Sequence, residues 1–331
     1  MIAFTGVYLV LGGYFAIVVI DFIQGIFMIA GALVMLYVIV KAGGGMQFLN
    51  NAAIAYNEHI PPSARPSVIT IVSLVFMTSF GTWGLPQMTQ KFYAIKNISV
   101  IKCAVIVTTL FAAIIGICAY GVGSASHIFF SPDADSINSL PRTIDGKINF
   151  DLIVPTLLTT HLPEVLMALI LLFVLSASMS TLSSLVLISA SSVAIDLYPV
   201  RTTDKDTKNN STAMIRFLSI IFIIISYFIS HYKISIIVYL MSLSWGAVSG
   251  AFAAPYILGL YWKRCTKAGA YCGLLGGLAI EIILFFALGP AKSPLSASIA
   301  ILAPFIIVPV VSMFTKAPDK SIIDQAFTSH N

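Results

Sequence analysis

Charge is scarce in this chain. Asp, Glu, Lys and Arg make up 9% of 331 residues while 58% are apolar, against about a quarter charged in an ordinary soluble domain. With so little polar surface to turn outward, the apolar side chains cannot all be hidden from water and must meet lipid. The mean hydropathy of +0.97 agrees. Cysteine is thin as well: Cys103, Cys118, Cys265 and Cys272 show no metal-type spacing and imply no disulfide framework. No Lys or Arg precedes Lys41, so the basic region of a signal peptide is missing, and the first apolar stretch is too long for one. The net charge of +5 comes without a basic stripe interleaved with aromatics, which excludes a nucleic-acid partner. No zincin, Walker or nucleophile-elbow motif occurs. His59, His127, His161, His231 and His330 all fall in loops, at outer span ends or in the tail, so no His–carboxylate pair is expected at mid-membrane and no enzyme is expected.

What is present is length of apolar run. A span needs about 20 predominantly apolar residues and must be helical, because each backbone group needs a partner within its own segment. Eight runs qualify, at about 14–40, 68–93, 100–123, 163–185, 214–231, 234–261, 268–288 and 296–314. The expected fold is an all-α polytopic membrane protein in a single domain over 1–331. Twelve Lys and Arg fall between runs two and three, four and five, six and seven, and after eight, whereas six fall on the other side. The richer side is read as cytoplasmic, so both termini face the cytoplasm. Residues 42–66 and 124–162 are then extracellular loops or short surface helices, the second holding Ser131-Pro132-Asp133 and Asp145-Gly146 turn chemistry. Residues 199–213, with the polar stretch Arg201 to Ser211, form a solvated cytoplasmic linker, and 315–331 a cytoplasmic tail.

Three features bear on chemistry. In run four, Ser176, Ser180, Ser184 and Ser191 recur at four- and seven-residue spacing, with Ala177 and Thr181 on a neighbouring stripe. Close helix packing, with hydroxyls bonded one turn back, accounts for that face; so does a cation site, since Na+ wants several neutral oxygens. In run two, Gly81, Gly84 and Pro86 sit within six residues, and proline removes the N–H that would serve Thr82. That helix is expected to break and expose backbone groups at depth, where they line a cavity or meet a ligand, unless neighbouring hydroxyls repair a simple kink. In run six, Gly246-x-x-x-Gly250 reads as a packing face. Asp21 and Glu281 are carboxylates inside spans and conspicuous by cost alone. Asp21 also suits the start of a helix, and Glu281 has no evident partner. Asp196 and Glu164 sit at span ends and are expected to face water.

Several stretches resemble the sodium/solute symporters, the family of sodium/proline, pantothenate, monocarboxylate and sodium/glucose transporters. They are LGGYFAIVVIDFIQG (Leu11 to Gly25), GTWGLPQ with KFYAIK (Gly81 to Lys96), LSASMSTLSSLVLISASSVAIDLY (Leu175 to Tyr198) and SLSWGAVSGAFAAPYILGLYWKRCTKAGAYCG (Ser242 to Gly273). The resemblance implies a 5+5 inverted-repeat, leucine-transporter-like fold entered at its fifth core helix, and Na+-coupled uptake of a small organic solute by alternating access. It implies that the Ala177 carbonyl and the Ser180 and Thr181 hydroxyls bind Na+, and that Asp21 serves ion coupling or release. Gly81, Thr82, Trp83, Gly84, Pro86 and Gln87 form the substrate-facing break. The family's first core helix would precede Asp21, so a separate N-terminal half is an expected partner, with the lipid bilayer of the bacterial cytoplasmic membrane. A non-transporting sensor, assembly partner or inactive remnant keeping part of the fold is the alternative. Thr78 and Thr82 stand where the proline transporters place Trp and Tyr, which argues against proline as the solute. No organic cofactor is implied.

Overall fold

A computed structural model describes residues 2–93, 95, 97–130, 140–142, 146, 148–197, 205–231 and 237–327. Its helices are α1 (Ile2–Ala42), α2 (Phe48–His59), α3 (Val68–Phe80), α4 (Pro86–Tyr93), α5 (Ile98–Phe129), α6 (Ile153–His161), α7 (Glu164–Ser191), α8 (Lys205–His231), α9 (Ile237–Tyr261), α10 (Lys267–Leu288), α11 (Ser293–Leu302), α12 (Pro304–Phe314) and α13 (Lys320–Phe327). No strand occurs among the described residues; one isolated bridge pairs Arg142 with Ile148. Seven helical stretches are long and apolar enough to cross a membrane: Ile17–Ala42, Ser99–Phe129, Glu164–Leu197, Thr212–His231, Ile237–Tyr261, Lys267–Leu288 and Pro290–Phe314. The protein is an all-α, multi-pass membrane protein. Exposed apolar side chains along these helices, among them Phe22, Leu110, Ile224 and Phe286, are the surface such a protein turns to acyl chains.

The eighth expected span, 68–93, exists as two half-helices: α3 ends at Phe80, a turn occupies 81–84, and α4 begins at Pro86. Each half is too short to cross the apolar layer alone, so this segment is not among the seven. The break was expected at Pro86 as an interior proline. Instead Pro86 is the first residue of the second half, where its fixed φ suits a helix start and its missing N–H costs nothing. The stretches read as loops or short surface helices do carry helix. Within 42–66 lies α2, and within 124–162 lie the end of α5 and all of α6. Hydropathy registers the apolar thickness a helix crosses, and the backbone hydrogen bonding continues past it. The same holds at the linker, where α8 already begins at Lys205, and in the tail, which contains α13. The Ser131-Pro132-Asp133 turn, Asp145, residues 201–204 and His330 lie outside the described residues.

The chain separates into two compact units, Met1–Arg65 with Ile95–Ile234, and Pro66–Ala94 with Ser235–Asn331. In the first, α1 packs along α7 and against α5 and α8, α2 lies on α5, and α7 packs on α8. Met35, Ile39, Val122, Ala125, Leu157 and Ile170 bury one core there, and Leu9, Ile17, Val186 and Ile223 a second. In the second unit α9 packs on α10 and α11, α10 on α12, and α11 on α3. The Gly246/Gly250 face is the packing face expected: a Cβ at Gly250 would lie 2.9 Å from the Ala300 carbonyl oxygen, so only glycine permits that approach. Despite Pro255, α9 is continuous.

Candidate functional site

The hydroxyl face of α7 does two things at once. Ser176 and Ser183 are buried, and several hydroxyls bond back to the helix: Ser178 Oγ donates to the Val174 carbonyl at 2.9 Å, Thr181 Oγ1 to Ala177 at 3.0 Å and Ser183 Oγ to Ser180 at 3.0 Å. This is the packing pattern expected of small polar residues in an apolar helix. Yet Ala177 and Thr181, with Ser178, line an open cleft of about 560 Å³ whose other walls are Ile2, Leu182, Leu185 and, from α8, Ser226 and Ser230. A donating hydroxyl keeps lone pairs, and a carbonyl that accepts one hydrogen bond keeps another. Ala177 O and Thr181 Oγ1 therefore retain ligand capacity on that wall. Ser180 stands one residue from Thr181 and is half-buried, outside the cleft lining. From α1, Tyr8 donates its hydroxyl to the Met179 carbonyl at 3.3 Å, a contact no sequence pattern indicates.

Asp21 is half-buried on α1, and Gln24, one turn on, is buried with its Oε1 unbonded. Neither lines the α7 cleft. Asp196 and Glu164 are exposed, as expected of span ends.

The break in the second unit is tightly built. Gly81 N–H still bonds the Met77 carbonyl at 2.8 Å; Trp83 N–H reaches Phe80 O at 3.1 Å and Leu85 N–H reaches Thr82 O at 3.3 Å. The Thr82 carbonyl that Pro86 cannot serve is thus satisfied within the turn. The Gly81 carbonyl accepts from Ser249 Oγ of α9. Gly84 presses on the same helix: a Cβ there would lie 2.8 Å from both Ser249 Cα and Ala253 N. Around the turn, Thr78 donates to Leu74 O at 2.9 Å and Thr82 to Ser79 O at 3.2 Å. Trp83 is exposed against Phe80, with ring centroids 4.8 Å apart. Pro86 and Gln87 are half-buried. From α11, Ser298 donates to Ser73 O of α3 at 2.9 Å. Ser249 and Ser298 are residues that sequence reasoning missed, since their partners lie 168 and 225 positions away.

Seven apolar spanning stretches, a discontinuous helix whose freed carbonyl is held by a neighbour, and a cleft carrying three serines and a threonine among apolar side chains describe a polytopic α-helical membrane protein. The chain belongs to the Sodium:solute symporter family, which it matches over residues 1–277. It is 28% identical over 326 residues to the osmoregulated proline transporter OpuE of Bacillus subtilis, covering 95% of this chain and 62% of that protein. It is 26% identical over 332 residues to the high-affinity proline transporter PutP of the same organism, covering 97% and 66%. To the sodium/pantothenate symporter of Haemophilus influenzae it is 25% identical over 287 residues, covering 85% and 56%. The chain thus spans between about half and two thirds of the length of these relatives.

Proposed function

We propose that this chain carries the part of a Na+-coupled symporter, from the fifth core helix onward, that binds the ion and bends around the solute during alternating access. Membership of the sodium:solute symporter family over residues 1–277 carries the reading. Na+ is held by the Ala177 carbonyl and the Ser180 and Thr181 hydroxyls, neutral oxygens that replace water without burying a second charge. Asp21 couples or releases the ion. Gly81, Thr82, Trp83, Gly84, Pro86 and Gln87 face the solute, a small organic molecule such as an amino acid, carboxylate or vitamin. The relatives' names point to proline and pantothenate as the first solutes to assay; Thr78 and Thr82, whose hydroxyls are turned into their own helix, leave a break wall without large aromatics at those two positions. The membrane is the bacterial cytoplasmic one, with both termini cytoplasmic, as the twelve-to-six distribution of Lys and Arg supports.

The test is uptake of labelled proline and pantothenate into proteoliposomes with and without an inward Na+ gradient. It is run on the chain alone and with the remaining portion of a relative supplied. Accumulation above equilibrium that requires the gradient is the expected result in at least one preparation. Equal uptake with and without Na+ in both would defeat the proposal and favour a non-transporting role.

A further inference from the structure

A wholly buried carboxyl closes the seam between α9, α10 and α11. Glu281 of α10 has no exposed surface. It is wedged against the α9 backbone: a Cβ at Gly246 would lie 2.5 Å from its carboxyl carbon and 2.7 Å from Oε2, at a point where Gly246 also comes close to α11, the same Cβ lying 2.8 Å from the Ala297 Cα. Oε1 lies 3.2 Å from Ser296 Oγ. Among the described residues Oε2 has no hydrogen-bond partner, and neither does the buried Ser293 hydroxyl one turn back on α11.

The Ser296 hydroxyl has one proton and two oxygens within reach. The Ser293 carbonyl is the nearer, at 2.9 Å, and can only accept. With the proton given there, the contact to Glu281 is completed by a proton from the carboxyl, donated to a Ser296 lone pair. The surroundings agree. Charged and titratable groups are absent from α11 and α12, α9 carries only Tyr239, Tyr256 and Tyr261, each well over a turn from Gly246, and Lys292 beside α11 is exposed. An ionised Glu281 would be a carboxylate in a dry seam with one oxygen unserved, and a lone buried charge costs several kcal/mol or more. Na+ needs room for several oxygens at once, whereas a proton needs no volume, and this carboxyl already presses on the Gly246 backbone.

We propose that Glu281 is a proton-binding site of the second unit. The carboxyl is carried uncharged, its O–H donated to Ser296, and losing that proton loosens α11. The same short helix holds α3 through Ser298 and Ser73, so the protonation state of Glu281 reaches the half-helix that ends at the Gly81 break. A group that is neutral when folded and ionised when exposed takes up a proton on folding, so stability falls as pH rises.

Infrared difference spectroscopy of the purified full chain in lipid, at neutral pH, tests this directly. The expected result is a protonated-acid C=O band that shifts in D2O, disappears in Glu281→Gln and moves without disappearing in Ser296→Ala. The last variant keeps the test open if Glu281→Gln does not fold. Glu281→Gln, an uncharged isostere, should also flatten the fall of melting temperature with rising pH. A spectrum with only carboxylate bands assignable to Glu281 would overturn the proposal. So would a melting temperature raised by Na+ over choline in the wild type and unmoved in Glu281→Gln, which would make the seam a Na+ site. Neither readout measures transport, so this inference stands or falls apart from Na+-coupled uptake.

Discussion

At Gly84 a single methyl group is too much. Ser249 Cα and Ala253 N would both lie 2.8 Å from it, and these are backbone atoms that cannot swing aside. Gly84→Ala is expected to cost about 1–3 kcal/mol, the range for overpacking, as a lower melting temperature in detergent. Gly116→Ala on α5, where nothing lies within 4 Å, should be neutral or slightly stabilising. Ser249→Ala strips the Gly81 carbonyl of its donor and should cost about 1–3 kcal/mol for the unsatisfied group. Uptake should suffer with it, since the break is what loses its hold. Equal stability of the two glycine variants, measured side by side, would remove the case for a close-packed break. At this scale the sequence is informative about residue type and nearly silent about partners. Gly81, Gly84 and the α7 hydroxyls stand out by spacing, whereas Ser249, Ser298 and the Ser296–Glu281 contact depend on which helices become neighbours.

The elements explain where the reading from spacing went furthest and where it slipped. A Gly-Gly-Pro cluster inside an apolar run can yield a kink or two half-helices, and spacing alone leaves both open. The outcome is set by α9, which takes the Gly81 carbonyl through Ser249 and lets Gly84 in close. Pro255 in α9 meets no such opening and leaves a continuous helix. Pro86 begins α4 instead of interrupting a helix, so Pro86→Ala should leave the break in place and change stability by no more than about 1 kcal/mol. Thermal unfolding and cysteine accessibility across 79–90 would check it; a continuous helix in Pro86→Ala would mean the proline causes the break. Helix ends are the least legible feature, because α5 runs on past its apolar core through Ser124 to Phe129 and α8 begins in the polar stretch at Lys205, where the cue of hydropathy is gone.

For the whole molecule, composition alone settles the class: with 9% charged residues, lipid is the only solvent that fits. The split into two units is not legible in the chain, since Pro66–Ala94 joins the second unit across 140 intervening residues of the first. Sidedness is a separate physical claim, resting on where Lys and Arg fall. Cysteines introduced at residues 203–212 should react with an impermeant reagent only from the cytoplasm, and those at 130–150 only from outside. Labelling of both from one side would undo the span assignment.

The proposed function rests on Na+ being held by three neutral oxygens of α7, and its most direct test is a Na+ titration of solute uptake at fixed pH, repeated on a proton gradient without Na+. It is made in the complete transporting assembly. Ser180→Ala and Thr181→Ala each remove one oxygen from the ion's shell and should raise the Na+ concentration for half-maximal uptake several-fold. Ser183→Ala, whose buried hydroxyl is bonded back to Ser180, should leave it nearly unchanged, and Asp21→Asn should slow coupled uptake more than it weakens solute affinity. Uptake that runs equally well on protons alone, with both hydroxyl variants unaltered, would contradict the account and leave Ser180 and Thr181 as packing residues.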